Sequence, residues 1–159
     1  MGVAGSGKTT VGERLAERLG APYVDADDLH PDENVAKMAA GVPLDDADRE
    51  PWLRRTRERL TENSSIVISC SALKRGYRDV LRESGDVRFV FLDADPAVIR
   101  DRVATREGHF MKQDMIDSQF GALERPGPAE SDVLTVVADR PVLSIVDAVV
   151  GAIDDRTSA

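Results

Sequence analysis

The chain has 159 residues, of which 42% are hydrophobic and 31% charged, and its net charge at pH 7 is −8. These values are typical of one globular domain with a single core and argue against a disordered chain. The negative charge argues against general nucleic-acid binding. No apolar run approaches the roughly 20 residues that span a bilayer, and no secretory signal pattern is present. The single cysteine, Cys70, cannot form an internal disulfide, so we expect a cytoplasmic protein.

Short apolar runs alternate with amphipathic stretches along the chain. The runs are β-branched or aromatic and lack polar alternation, as in strands covered on both faces; they lie at residues 22–25, 66–70, 88–92 and 133–137. Helical spacing of apolar residues predicts helices over residues 10–19 and 73–81, after Asp95 and after Pro141. This alternation predicts an α/β fold with a three-layer parallel sheet flanked by helices, in a single domain over residues 1–159.

The segment Gly-Val-Ala-Gly-Ser-Gly-Lys-Thr near the start matches the phosphate-loop pattern G-x-x-x-x-G-K-[ST] in full. Glycines let backbone N–H groups converge on phosphates, and the following helix favours an anion at its N-terminus. Lys8 can reach the β- and γ-phosphates, and the Thr9 hydroxyl can ligate magnesium. The alternative is a glycine-rich turn that matches by chance. We predict that ATP and Mg²⁺ bind here, through Gly2, Gly5, Ser6, Gly7, Lys8, Thr9 and Thr10.

A phosphate loop ordinarily follows a buried strand in the middle of the sheet, and here the loop starts at Gly2. Either the true start lies upstream or the fold lacks its first strand. A missing central strand leaves backbone groups on its neighbours unpaired, at roughly 1–3 kcal/mol for each buried group. We expect only four parallel strands, with a void, a collapsed sheet or a borrowed strand beside the loop. We also expect this chain to be unstable or inactive, and a version extended upstream to be active.

Acidic residues follow the strand predicted at residues 22–25, at the sheet edge where α/β proteins bind ligands. Asp25 is a candidate magnesium ligand with Thr9. Asp27 is a candidate to orient or deprotonate an acceptor hydroxyl. The alternative for this segment is a solvated acidic loop.

Segments spread from Met1 to the last helix closely resemble the gluconate kinase family. They are Asp25-x-Asp27-x-x-His30-Pro31, Asn34, Lys37-Met38, Gly41-x-Pro43-Leu44, Asp46-x-Asp48-Arg49, Pro51-Trp52-Leu53, Cys70-Ser71-Ala72-Leu73-Lys74, Tyr77-Arg78-Asp79, Gly108-His109-Phe110, Ser118-Gln119-Phe120 and Leu123-Glu124-x-Pro126. The resemblance implies a nucleoside-monophosphate-kinase-like fold, ATP and magnesium, gluconate as acceptor, 6-phosphogluconate as product, and a homodimer. One departure is Lys112, where many relatives have proline.

Gluconate is a carboxylate with a row of hydroxyls, so its site needs cations at one end and hydrogen-bond partners along its length. We predict that the acceptor-binding region covers residues 27–55. Lys74 and Arg78 are one helical turn apart, which predicts that both face the same crevice. The predicted substrate-binding residues are Asp27, His30, Arg49, Lys74 and Arg78.

Residues 102–118 are predicted to form a lid. Arg102 and Arg106 are four apart on one helix face, where a closing segment can bring them to the charge that develops on the transferring phosphoryl group. The alternative is a pair of solvated arginines. The predicted catalytic set is Lys8, Asp27, Arg102 and Arg106, and Arg140 is predicted to lie near the adenine.

Two rival functions remain open at this stage. A shikimate-kinase-like enzyme would share the architecture, but shikimate kinases typically carry a glycine triplet where this chain has residues 70–74. A nucleotide-binding module without catalysis would follow if loss of the first strand is real.

Overall fold

The structure is a computed structural model that describes residues 1–104 and 113–157. In chain order its helices and strands are α1 (Lys8–Leu19), β1 (Tyr23–Asp25), α2 (Asp32–Ala39), α3 (Asp46–Thr61), β2 (Val67–Ser69), α4 (Arg75–Arg82), β3 (Phe89–Asp93), α5 (Pro96–Ala104), α6 (Gln113–Ala122), β4 (Val133–Val137) and α7 (Val142–Thr157). The α/β class and the four predicted strands are confirmed. The pair α2 and α3 fills the predicted acceptor-binding region, for which the sequence had indicated no helix bounds.

The strands form two separate parallel pairs. β1 pairs with β2 in the register Tyr23 to Val67, and β3 pairs with β4 in the register Phe89 to Val133. Within the described residues no strand joins the two pairs. The four-strand arrangement predicted from the sequence is therefore present, and the sheet is interrupted between β2 and β3.

Met1 and Gly2 lie in this interruption. The Met1 amine donates to the Val90 carbonyl at 2.6 Å, and the Leu92 amide donates to the Met1 carbonyl at 2.9 Å. On the other side the Gly2 amide donates to the Ser71 carbonyl at 3.2 Å. These two residues thus connect the two strand pairs directly beside the phosphate loop.

The rest of the interruption is open. A cavity of about 580 Å³ extends from Met1 between β2 and β3. Of the three outcomes expected beside the phosphate loop, which were a void, a collapsed sheet or a borrowed strand, the structure shows a void.

Two apolar clusters lie on either side of the strands. One combines Val11 and Leu15 of α1 with Val149 of α7, and the other is built around Trp52 of α3 and Leu81 of α4. Burial of such side chains is the main favourable term in folding, at about 25 cal/mol per Å² of apolar surface. Among the described helices, none combines the length and the apolar character that crossing a membrane would require.

The N-termini of α1 and α3 determine where the candidate site lies. α1 begins after Gly7, which has a left-handed φ of 92° and no side chain that caps the helix, so the first amides of α1 are left open. α3 begins with a capping box in which Asp45 and Asp48 each accept from the other's backbone amide. The box fixes where α3 starts and therefore where its first turn faces the crevice.

Candidate active site

The phosphate loop folds tightly against β3. A Cβ atom at Gly2 would lie 2.9 Å from the Leu92 carbonyl oxygen and 3.0 Å from Ser6 Oγ, and Gly2 has a φ of +148°. Only glycine fits this position without displacing the backbone. The phosphate loop therefore begins in close contact with β3, and it ends at the open N-terminus of α1.

Lys8 is folded back onto its own loop. Its Nζ donates to the Val3 carbonyl at 3.0 Å. Burial lowers the pKa of Lys8, while the carboxylates of Asp27 and Asp25 oppose that shift. A cation held over its own loop, with acidic side chains nearby, is well placed to turn towards phosphate oxygens.

Ser6 supplies an orphaned polar atom inside the loop. The residue is 2% exposed. Its hydroxyl is the one buried side-chain polar atom among the described residues that has no hydrogen-bond partner. A buried hydroxyl without a partner carries a free-energy cost that a bound acceptor would remove. With the open helix terminus and Lys8, this orphan fits a nucleotide's phosphate chain.

Thr9 and Asp25, the predicted metal ligands, are brought together. Thr9 Oγ1 lies 3.3 Å from Asp25 Oδ2. The described residues contain no group of three or more His, Cys, Asp or Glu side chains that would hold a metal alone. That pattern suits Mg²⁺, which is usually held by one or two protein oxygens together with substrate phosphates and water.

Asp25 also reaches the predicted base. Its other oxygen, Oδ1, accepts from the Asp27 amide at 3.0 Å, at the start of the short 3₁₀ turn Ala26–Leu29. Partial desolvation of its carboxyl and the charge of Asp25 raise the pKa of Asp27, while Lys8 and Arg49 oppose the rise. A carboxylate with a raised pKa is a better proton acceptor.

His30 is buried behind this turn. Its ring stacks on Trp52 with centroids 4.7 Å apart. Asn34 Nδ2 donates to the Asp48 carbonyl at 2.7 Å and lies 3.2 Å from His30 Nδ1. Because that amide nitrogen only donates, Nδ1 accepts and the ring proton is on Nε2. Burial and the charge of Arg49 lower the pKa of His30 to about 4, so the ring is neutral.

The predicted cations of the acceptor region surround Tyr77. Lys74 Nζ is 5.5 Å from the Tyr77 ring centroid and the Arg49 guanidinium carbon is 5.8 Å from it. Asp46 accepts from Lys74 Nζ at 2.7 Å and also from the Tyr77 hydroxyl. Arg49 and Lys74 therefore share one region of the crevice, where Asp46 currently holds the lysine.

The structure corrects the prediction for Arg78. Its side chain is 1% exposed and donates to both carboxylate oxygens of Glu130, at 2.6 and 2.7 Å. It also donates to the carbonyls of Ala72 and Leu73, at 3.1 and 3.2 Å. Lys74 precedes α4, so the two residues are not neighbours on one helix face. Arg78 points into the protein and holds the turn that leads to Lys74.

The lid is described only in part. Arg102 Nη2 donates to Asp139 Oδ1 at 3.1 Å, which joins the end of α5 to the turn after β4. Arg140 is exposed in that same turn. Arg106 lies outside the described residues, so its placement stays a prediction.

Sequence reasoning missed one residue that contacts the phosphate loop. Gln119 of α6 accepts from the Ala4 amide through Oε1 at 2.7 Å. The only signal for it was its place in the segment Ser118-Gln119-Phe120, which resembles gluconate kinases. The contact ties the helix after the lid to the loop.

Comparisons with known proteins identify relatives of this chain. A model of the shikimate kinase family matches residues 4–151. The chain is 44% identical over 152 residues to the thermoresistant gluconokinase of Escherichia coli (strain K12). This match covers 92% of this chain and 86% of that protein. It is 47% identical over 137 residues to the gluconokinase of Gluconobacter oxydans (strain 621H), in a match that covers 82% of this chain and 76% of that protein. The crystal structure of a gluconokinase from Sinorhizobium meliloti 1021 matches with a TM-score of 0.86 at 46% identity. This match covers 92% of this chain and 85% of that one.

The fold and the phosphate loop thus define a P-loop kinase of the shikimate kinase family, a family whose model matches nearly the whole chain. Within that broad family the chain belongs to the gluconokinases, because relatives of that name are 44% and 47% identical to it over 86% and 76% of their own length. The family model marks the coarser group, and the resemblance predicted from the sequence is confirmed.

Proposed function

We propose that the protein transfers the terminal phosphoryl group of ATP to D-gluconate and releases 6-phospho-D-gluconate. Gluconokinase relatives and a gluconokinase structure support the assignment. The observation that carries it is the Asp25 carboxylate, which bonds to Thr9 at the phosphate loop with one oxygen and to the Asp27 amide with the other. One side chain thereby links the nucleotide side of the crevice to the acceptor side.

On the nucleotide side, the loop amides and the start of α1 hold the phosphates. Lys8 exchanges its bond to the Val3 carbonyl for one to phosphate oxygen, and Ser6 gains its missing partner. Thr9 and Asp25 would hold Mg²⁺, directly or through water, and the ion would neutralise charge on the phosphates.

On the acceptor side, Asp27 takes the proton of the attacking hydroxyl. The hydroxyl oxygen forms a bond to the γ-phosphorus, the bond to the β,γ-bridging oxygen breaks, and ADP leaves. His30 is neutral and carries its proton on Nε2, so it offers a donor to a hydroxyl rather than a charge. Arg49 and Lys74 supply the positive charge for the substrate carboxylate.

The lid supplies the last charges. Arg102 and Arg106 stabilise the transferring phosphoryl group once the lid closes, and closure excludes water that would otherwise hydrolyse ATP. Arg140 lies next to Asp139, the partner of Arg102, and we place the adenine near this turn. We also propose that the protein works as a homodimer in the cytoplasm.

A coupled assay of ADP release tests the function. Wild-type protein is measured with gluconate, with shikimate, with other sugar acids and without acceptor, in each case with and without Mg²⁺. We expect turnover that depends on both gluconate and Mg²⁺, and loss of it in Lys8→Ala. Turnover with shikimate and not with gluconate would contradict the proposal and indicate a shikimate kinase. ATP binding by calorimetry without turnover on any acceptor would indicate a non-catalytic module.

A further inference from the structure

The turn between β2 and α4 ends at Lys74, one of the two cations of the proposed acceptor site. Lys74 is the cap residue of α4 and has extended backbone angles, and its own side chain makes no capping bond. Its carbonyl accepts from the amides of Tyr77 and Arg78, at 3.1 and 3.3 Å. The Arg75 amide, which is the first of α4, therefore needs a partner from elsewhere in the protein.

Glu124 supplies that partner from a distant part of the chain. Its carboxylate oxygen Oε2 accepts from the Arg75 amide at 2.7 Å, across 49 positions. Its own amide donates to the Leu73 carbonyl at 2.9 Å. A carboxylate at the start of a helix is also favoured by the helix dipole. Glu124 thus bonds to the residue before Lys74 and to the residue after it.

The backbone around Glu124 is anchored independently of these two bonds. Phe120 and Leu123, which precede it, pack against the apolar cluster of α1 and α7. Arg125, which follows it, donates to the carboxylate of Asp93 at the end of β3. Because its neighbours are held on both sides, Glu124 is a fixed point to which the turn is attached.

The other bonds of the turn leave this task to Glu124. Arg78 holds the carbonyls of Ala72 and Leu73, which lie before Lys74 in the chain. Lys74 Nζ bonds to Asp46 at 2.7 Å, so the ammonium group already lies in the acceptor region. A lysine side chain is a flexible four-carbon stem, so where its charge can reach depends on where its backbone is held.

We propose that Glu124 is a positioning residue for the acceptor, which holds Lys74 where its ammonium group meets the substrate carboxylate. This role rests on the proposed function, in which Lys74 exchanges Asp46 for that carboxylate. Glu124 acts through Lys74 and takes no part in phosphoryl transfer. Its loss should therefore weaken binding of the acceptor in the ground state and in the transition state alike, which raises KM and leaves kcat unchanged.

Two variants separate the hydrogen bond of Glu124 from its charge. Glu124→Leu removes the acceptor of the Arg75 amide, whereas Glu124→Gln keeps an oxygen that accepts and removes only the charge. We expect the KM of Glu124→Leu for gluconate to rise by about five- to tenfold, with kcat and MgATP affinity within about twofold of wild type. Glu124→Gln should keep all three values within about twofold. An equal rise of KM in both variants would overturn the proposal, because the charge and not the cap would then matter.

A double-mutant cycle tests whether Glu124 works through Lys74. In a Lys74→Met background, Glu124→Leu should change the KM for gluconate by less than about twofold, because the group that it positions is gone. Additive effects of the two substitutions would show that Glu124 acts independently of Lys74 and would overturn the proposal.

Amide hydrogen exchange followed by NMR gives a readout that needs no turnover. The Arg75 amide should exchange at least about fivefold faster in Glu124→Leu and at the wild-type rate in Glu124→Gln. If the wild type uses gluconate and Glu124→Leu has an unchanged KM, the positioning role is wrong and the proposed function stands. A lower Tm with an unchanged KM would make Glu124 purely structural. A wild type without turnover on gluconate would overturn the proposed function, and the positioning role with it.

Discussion

Arg78 and Glu130 form a two-point ion pair inside the protein, with Nη2 2.6 Å from Oε1 and Nε 2.7 Å from Oε2. Arg82 adds a contact to Glu130 at 2.7 Å. Arg78 also holds the carbonyl of Ala72, which is the one described residue other than glycine with a positive φ, at 40°. The pair thus stabilises a strained turn that leads from β2 to Lys74.

Breaking this pair should cost more stability than any surface pair. Glu130→Gln leaves the Arg78 charge buried without its counter-charge, and we expect the free energy of unfolding to fall by about 3–5 kcal/mol. The matched control is Glu83→Gln, which removes an exposed partner of Arg57 and should cost about 0–1 kcal/mol. Urea denaturation measures both. Equal, small losses in the two variants would show that the buried pair is not a structural clamp.

Variants of the Arg78–Glu130 pair distinguish a structural role of Arg78 from a role in binding the substrate. Because Arg78 is buried and bonded to the protein, Arg78→Met combined with Glu130→Met should recover part of the stability that either single change loses. A substrate ligand would behave differently: Arg78→Met alone would raise the KM for gluconate while leaving the denaturation midpoint unchanged. That second result would restore the role predicted from the sequence.

His30 should make stability depend on pH. Its folded-state pKa is lowered to about 4, below the ordinary value of 6.5, so the unfolded chain binds more protons between these values. The free energy of unfolding should therefore fall as the pH drops from about 6.5 to about 4. His30→Gln should remove that part of the slope in urea denaturations across the range. Identical slopes in wild type and variant would show that His30 titrates normally.

Ser6 should matter for ATP and not for folding. Its hydroxyl is buried without a partner, so Ser6→Ala removes no hydrogen bond from the free protein and should leave its stability unchanged or slightly raised. MgATP affinity should fall by roughly tenfold, which corresponds to one lost hydrogen bond to a charged group. Calorimetry with MgATP and a thermal melt give the two readouts. Loss of stability with unchanged affinity would contradict the proposed role.

Asp27 should act on chemistry rather than on ATP binding. Asp27→Asn keeps the size of the side chain but removes its basicity, and we expect kcat to fall by roughly 10²–10⁴-fold while MgATP affinity is retained. Asp28→Asn, one residue further along the same turn, is the control and should retain near-normal kcat. Near-normal turnover in Asp27→Asn would remove it from the catalytic set.

Local chemistry explains which parts of the site were predictable from sequence. The phosphate loop needs glycines and a Lys-Thr pair at fixed spacing, because backbone amides must converge on phosphates, so Lys8 and Thr9 were recognisable. Asp25 and Asp27 follow a strand end, and parallel strands carry their ligand sites at that edge. Asp25 contacts Thr9 in the structure, and their shared role as magnesium ligands stays a prediction.

Contacts between distant segments were not predictable in the same way. Arg78 and Glu130 are 52 positions apart, and no helical or strand periodicity relates them. Helical spacing alone suggested that Arg78 faces the crevice with Lys74, but it does not specify which side of a short helix packs inwards. Likewise, Gln119 reaches the phosphate loop across 115 positions.

The amino-acid sequence was enough to predict the class of the protein, the nucleotide loop and the order of strands and helices, because these features depend on residues close together in the chain. The three-dimensional structure was needed to show which charged side chains face the crevice and which are buried as ion pairs. Among the outcomes expected beside the phosphate loop, the structure shows a void between β2 and β3. Which side of a helix packs inwards depends on contacts with distant segments, which no single segment encodes.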